Sequence, residues 1–318
     1  MQEENVFYTV DMQREVRDFV QNLEKELAEY PPVYERNPVE IRNEQEEGVG
    51  RYKKPVLSEK AIEREIESDQ GSVNVRAFIP DDQIDGVYLH IHGGGWVFGR
   101  AHHRDDDLEE IMNDCNAAVI SVDYRLAPED VYPAQLNDCY DGLVWLESQK
   151  EMLKINASKI ALYGQSAGGG LVIATSMKVR DNGGPSICFQ MPVYPMIDDR
   201  HETPSSHEIT DIGIWDRDGS IEAWKWYLGG KEPDHYAAPS RATSLKNLPP
   251  TFIDVGELDL FRDENIIFAQ RLLQAGVTTE FHLYPGAYHA SENMAPGAAL
   301  SKVIWSNRIN ALKKAFKD

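Results

Sequence analysis

From Gly86 to the C-terminus, short apolar runs recur along the chain, and most are followed by a longer segment whose apolar residues fall on one helical face. The runs 87–91, 117–122, 159–163, 187–194, 251–255 and 279–284 have strand length. The segments 104–116, 133–149, 167–180, 263–275 and 291–317 predict helices. Strand and helix in alternation imply an α/β fold, a mostly parallel sheet covered on both faces. Upstream, 61–67 and 72–79 predict two further strands. The second alternates Val73, Val75, Ala77 and Ile79, and Asp69-Gln-Gly71 predicts the turn between them, so this pair forms an antiparallel edge to the larger sheet.

Two regions stand outside this alternation. Residues 11–30 place Met12, Val16, Phe19, Val20, Leu23, Leu27 and Tyr30 at spacings of three and four, which predicts a helix that Pro31-Pro32 ends. The stretch 34–54 is polar and reads as loop or weak helix. Residues 197–236 form a long polar insertion between two strands and carry Trp215, Trp224, Trp226 and Tyr227. The division that follows is an N-terminal cap segment (1–50), a catalytic domain (51–196 and 237–318) and a cap insertion (197–236). The insertion's aromatics are expected to face the site described next; the alternative is a helix that merely docks on the domain.

Within the alternating region, the strand 159–163 runs into Gly164-Gln-Ser166-Ala-Gly168 and then into a helix. A serine between two glycines at a strand-to-helix turn has the form of a nucleophile elbow, in which the glycines keep Cβ atoms out of the crowded turn. A serine hydroxyl needs a general base, and the base needs an orienting carboxylate. Asp259 follows the strand 251–255 and is the best candidate acid. Glu257, Asp263 and Glu264 are rivals, although the last two open a helix, where acids are favoured without catalysis. His289, after the last strand, is the candidate base among nine histidines. For the oxyanion, Gly93 and Gly94 in His92-Gly-Gly-Gly-Trp96 follow the strand 87–91, and with Ala167 they would supply the backbone N–H groups. Trp96, Trp215 and Tyr194 are the candidate substrate-binding side chains.

Composition narrows the partners. The chain has 318 residues, with 32 basic against 53 acidic side chains and a formal net charge of -21. That charge repels nucleic acid and anionic membrane surfaces. Cys115, Cys139 and Cys188 are odd in number and lack metal-ligand spacing, which suits reduced thiols buried by packing. Acidic residues near Met1 and the lack of any apolar run of about 18 residues predict no signal peptide and no membrane span, hence a cytoplasmic protein. Edge strands and exposed helices are compatible with a homodimer.

Taken together, several stretches resemble the hormone-sensitive lipase family of α/β-hydrolases, the bacterial family IV branch of small carboxylesterases. They are His92-Gly-Gly-Gly-Trp96, Asp123-Tyr-Arg-Leu-Ala-Pro-Glu129, Tyr132-Pro-Ala134, Gly164-Gln-Ser-Ala-Gly-Gly169, Leu248-Pro-Pro250, Asp259-Leu-Phe-Arg-Asp-Glu264 and Tyr284-Pro-Gly286 leading to His289. The resemblance implies an eight-stranded sheet, a helical cap made from the N-terminus and an insertion after strand six, no cofactor or metal, and hydrolysis of short-acyl esters, a small-molecule substrate. Arg125 and Glu129 are expected to brace loops without doing chemistry. Two positions depart from the family pattern. Gln165 stands where an acid is usual before the nucleophile, and Ala290-Ser291 replace a glycine and an aromatic after the histidine. An acid at 165 would either raise the pKa of the base or merely brace a loop. Rival functions are an amidase or lactonase using the same triad, and a non-catalytic receptor like the plant gibberellin receptors, against which the retained His289 argues.

Overall fold

The computed structural model describes residues 15–19, 21–22, 25, 28–68, 71–81, 84–149, 159–210 and 215–317. Eight strands form one sheet: β1 (Ile62–Ser68), β2 (Gly71–Phe78), β3 (Gly86–Ile91), β4 (Ala117–Asp123), β5 (Ile160–Gln165), β6 (Ile187–Val193), β7 (Thr251–Leu258) and β8 (Thr279–Tyr288). Their order is β1-β2-β4-β3-β5-β6-β7-β8. β2 runs antiparallel to both β1 and β4, and the remaining neighbours are parallel. This is an α/β-hydrolase sheet with the expected antiparallel edge. β3, in the middle, is buried along its whole length, whereas β1, at the edge, is mostly exposed.

Helices cover both faces. α1 (Pro38–Glu47) precedes the sheet, and the others are α2 (Asp105–Cys115), α3 (Ala134–Ser148), α4 (Ala167–Asn182), α5 (Pro204–Glu208), α6 (Arg217–Leu228), α7 (Arg262–Gln274), α8 (Ser291–Met294) and α9 (Ala299–Lys314). The strands divide their side chains between two cores, as a period of two requires. On one face Tyr88, Val119 and Tyr163 meet Leu108 and Ile111 of α2 and Ile309 and Leu312 of α9. On the other, Leu89, Ile120 and Leu162 meet Leu136 and Leu143 of α3 and Leu171 of α4. Among the described residues, no helix is long and apolar enough to cross a membrane.

Three expectations need correction or completion. The segment 291–317 is two helices rather than one, α8 and α9, because Pro296 and Gly297 lie between them and proline can neither donate to nor fit inside a continuing helix. The stretch 34–54 contains a true helix, α1. Asn37 caps it by accepting from Val39 N, Pro38 opens it, and Gly48 at φ 70° ends it. Of the stripe in 11–30, residues 15–19, 21–22 and 25 are helical, and Met12, Val20, Leu23 and Leu27 lie outside the described residues, as does most of the 69–71 turn. Val16 is fully buried against Tyr284, Tyr288 and Leu300, and Glu15 accepts from Ala299 N at 3.0 Å, so this helix docks on the C-terminal part of the chain.

Candidate active site

Ser166 occupies the turn between β5 and α4 at φ 56° and ψ -121°, a left-handed conformation that few non-glycine residues adopt. Its own backbone ties the turn down. Ser166 N donates to Val193 O at 2.9 Å, and Ser166 O accepts from Gly170 N and Met196 N, each at 3.0 Å. The flanking glycines are required by close approach to β3. A Cβ on Gly168 would lie 2.1 Å from Ile91 O and 2.4 Å from His92 O, and one on Gly164 would lie 2.6 Å from Ile91 O. All three distances are far inside van der Waals contact, so the motif follows from the packing of two backbones.

The structure brings Ser166, His289 and Asp259 together from the carboxyl ends of β5, β8 and β7. His289 Nε2 is 3.0 Å from Ser166 Oγ, and His289 Nδ1 is 2.8 Å from Asp259 Oδ2. With the proton on Nδ1, that nitrogen donates to the carboxylate and Nε2 is free to accept from the hydroxyl. Asp259 is fully buried, and its other oxygen accepts from Phe261 N at 2.9 Å, which fixes its rotamer. The imidazole is held between two rings, Tyr194 at 4.8 Å and Phe261 at 5.2 Å, both edge-on. The rival acids are engaged elsewhere. Glu257 accepts from Gly286 N, Asp263 accepts from Ser205 N and pairs with Arg262, and Glu264 accepts from Ile197 N.

Ser166 opens into a cavity of about 220 Å³ whose walls include Gly93, Gly94, Arg104, Tyr194, Trp215, His289 and Asn293. Gly94 sits at φ 115°, and a Cβ there would strike Phe98 O at 2.2 Å, so only glycine lets the loop turn beneath the cavity. A second cavity of about 960 Å³ shares Gly94 and Trp215 with the first and extends past Tyr30, Ile41 and Tyr52. Trp215 and Tyr194 both line the first cavity. Trp96 does not: it is 1% exposed, stacked on Tyr227 at 4.1 Å and edge-on to Trp224 at 4.5 Å. Its positive φ of 62° turns the indole away from the cavity and into the core. Trp224 and Tyr227 of α6 are thereby used up in the core as well, and of Trp215, Trp224, Trp226 and Tyr227 it is Trp215 that lines the cavity.

Gln165 braces the sheet. Its Oε1 lies 3.1 Å from His90 Nε2, and its Nε2 donates to Tyr163 Oη at 2.5 Å. His90 Nδ1 is in turn 2.8 Å from Ser121 Oγ, and burial pushes the imidazole down to about 3. Arg125 and Glu129 also act as braces: Arg125 pairs with Asp138, and Glu129 accepts from Arg42 of α1.

Sequence reasoning missed a buried ionic cluster beneath Tyr194. Arg308 of α9 donates to Asp254 through Nε (2.7 Å) and Nη2 (3.0 Å), and to Glu292 Oε1 through Nη1 (2.7 Å). Tyr194 Oη donates to the same Glu292 oxygen at 2.7 Å. Burial pushes the Glu292 carboxyl up, but the charge of Arg308 and these hydrogen bonds overcome it and hold the group below the usual carboxylate range. No local motif marks these residues. The signal available was an acid, Asp254, inside the apolar run of β7 and an arginine among the apolar positions of α9, charges that are buried only if paired.

A model of the alpha/beta hydrolase fold matches residues 88–293. The carboxylesterase NlhH of Mycobacterium tuberculosis is 34% identical over 251 residues, 77% of this chain and 79% of its own. The arylesterase of Saccharolobus solfataricus is 34% identical over 230 residues, 71% and 74% of the two chains. Among solved structures, a bacterial heroin esterase superimposes with a TM-score of 0.84 at 35% identity, covering 96% of this chain and 98% of that one.

Proposed function

We propose, for a chain that belongs to the hormone-sensitive-lipase-like esterases of the α/β-hydrolase superfamily, that Ser166 is the nucleophile, His289 its base and Asp259 the orienting carboxylate. The chain is a carboxylic ester hydrolase. One observation carries the residue assignment: an unbroken line of contacts from Asp259 through both ring nitrogens of His289 to Ser166 Oγ, at 2.8 and 3.0 Å.

In this reading Nε2 takes the hydroxyl proton as Ser166 Oγ attacks the ester carbonyl carbon. The oxyanion of the tetrahedral intermediate accepts from the N–H groups of Gly93, Gly94 and Ala167, an arrangement in which each donor is worth about 2.7–4 kcal/mol of barrier. Collapse breaks the bond to the alcohol oxygen, which leaves with the proton from His289. Water, deprotonated by the same nitrogen, then attacks the acyl-serine and releases the acid. Asp259 holds the tautomer and stabilises the imidazolium without taking the proton.

The cavity at Ser166, about 220 Å³, is below the roughly 300–1,000 Å³ usual for drug-sized ligands and suits a short acyl group, while the adjoining 960 Å³ would receive the rest of the ester. The helical residues 15–19, 21–22 and 25, α1 and the insertion 197–236 serve as the cap. Ser166→Ala should abolish turnover of a short-chain p-nitrophenyl ester, and a phosphonate should label Ser166 and no other serine. Wild-type turnover in that variant, or an adduct on Ser176 or Ser291, overturns the assignment.

A further inference from the structure

Glu46, His102 and His103 converge on one point at the rim of the catalytic cavity. Glu46 lies in the last turn of α1, and the histidines occupy the 3-10 turn Ala101–Arg104 between β3 and α2. His102 Nε2 is 2.9 Å from Glu46 Oε2, and His103 Nε2 is 2.8 Å from Glu46 Oε1. The rings are 4.8 Å apart at 88°, so they approach the carboxylate from two directions. One ligating atom from each residue can be chosen so that all lie within 4.8 Å of one another. None of the three takes part in the triad, yet His103 lines the cavity into which Ser166 opens.

Two imidazoles and one carboxylate are a donor set suited to zinc, with Zn–N of about 2.0–2.1 Å and Zn–O of about 2.0–2.2 Å. A tetrahedral ion at those bond lengths holds its donors roughly 3.3 Å apart. The two existing nitrogen–oxygen contacts would open by about half an ångström, and the nitrogens would draw together. The side chains have room for this, being 23%, 20% and 40% exposed for His102, His103 and Glu46, and the same exposure gives the ion an entry path. Magnesium, which demands an octahedron of oxygens, finds one carboxylate here.

We propose that Glu46, His102 and His103 form a binding site for a zinc-class divalent cation, with solvent as the fourth ligand, that clips α1 to the wall of the catalytic cavity. Each imidazole would present its Nε2 lone pair to the ion, the ring proton moving to Nδ1, and nothing is oxidised or reduced. A side-chain ion pair, Arg42–Glu129, already ties α1 to the loop after β4. A cation at Glu46 would therefore fix the roof of the cavity at a second point. The site lies outside the triad, so it stands or falls separately from the assignment of Ser166.

The test uses the full chain, stripped with a chelator, and Zn2+ alone as probe. Calorimetric titration should show one strong equivalent in the wild type, with a rise in Tm, and no response to Mg2+. His102→Ala and Glu46→Gln should each weaken that equivalent by at least the 10–100-fold that loss of a mere outer-shell partner costs. Co2+ should give a visible absorption band in the wild type that both variants lose. Glu46→Gln keeps the shape and a hydrogen-bond acceptor, so it carries the test if His102→Ala fails to fold, as judged by circular dichroism. Zn2+ binding that is equal in wild type and variants, or absent from the wild type, overturns the proposal.

Discussion

The floor of the catalytic cavity and its roof are built by different forces. In the floor, at the carboxyl ends of β5, β7 and β8, backbones meet backbones: Gly168 has no room for a methyl group, and Asp259, His289 and Arg308 are all at most 4% exposed. In the roof, α1 is tied to the rest by Arg42–Glu129 and by Glu46 with two histidines, all partly open to solvent. Buried polar contacts are expensive to leave half-made, whereas exposed ion pairs contribute about 0–1 kcal/mol. The residues assigned to the chemistry therefore lie in the tightly packed floor, and α1 in the roof is held by weaker polar contacts. Single substitutions should separate the two regions by the size of their effects.

The largest effect should come from Asp259→Asn. An amide cannot hold the tautomer that receives the serine proton, and a wrong tautomer costs about 10⁴ in kcat. Asp263→Asn, whose carboxylate serves Arg262 and the Ser205 backbone, should change kcat only slightly. Steady-state kinetics on one short-chain ester compares them, and equal mild losses would place the orienting acid elsewhere.

Next comes the cluster beneath Tyr194. Arg308→Met leaves Asp254 and Glu292 buried and unpaired, a change that typically destabilises by about 3–5 kcal/mol. Arg42→Ala in the roof should cost no more than about 1 kcal/mol. Urea titrations of the two variants measure the contrast directly. Comparable losses would mean that the roof is as tightly specified as the floor.

What could be read from the sequence follows the same division. All eight strands were legible because each is a short apolar or alternating run bounded by turn residues. Ser166, Asp259 and His289 were legible because their positions after strands are fixed by the motif and by chain order. Arg308 and Glu292 were not, since the reason for their burial lies in a partner 54 residues away in one case and in Tyr194, 98 residues away, in the other. Trp96 misled for a related reason. An aromatic beside a glycine loop reads as a pocket wall, but its left-handed backbone turns it toward Tyr227 of the insertion, a contact that local spacing does not encode. The break between α8 and α9 was written in Pro296-Gly297 and was overridden by the apolar period on either side.

A third effect, of about 1–3 kcal/mol or more, is expected for Gly168→Ala, because the added carbon meets two carbonyl oxygens that belong to the sheet and its exit loop. Gly297→Ala is the control, with nothing within 4 Å of the new atom. Thermal melts that fall equally for the two would remove the close approach as the cause of the elbow motif.

The smallest effect concerns Gln165, and it divides stability from catalysis within the floor itself. Because His90 and His92 are pushed down by burial to about 3 and about 4, the folded protein leaves both neutral where the unfolded chain protonates them. Stability is therefore full above the ordinary histidine pKa, near 6.5, and declines as pH falls from there toward the folded values. In Gln165→Glu a carboxylate would face His90 Nε2, and the buried pair would hold one proton between them. The unfolded chain between about pH 4.3 and 6.5 also holds one proton on these two groups, so their contribution to the slope vanishes. The decline in stability should flatten by one proton, about 1.4 kcal/mol per pH unit. The new carboxylate points into the sheet rather than at His289, so the acidic limb of kcat/KM, which reports the free enzyme's base, should stay where it is. Urea titrations and kcat/KM profiles over that range test both halves. An unchanged slope with a limb displaced upward would show that a charge at position 165 is felt by His289 and not by the sheet.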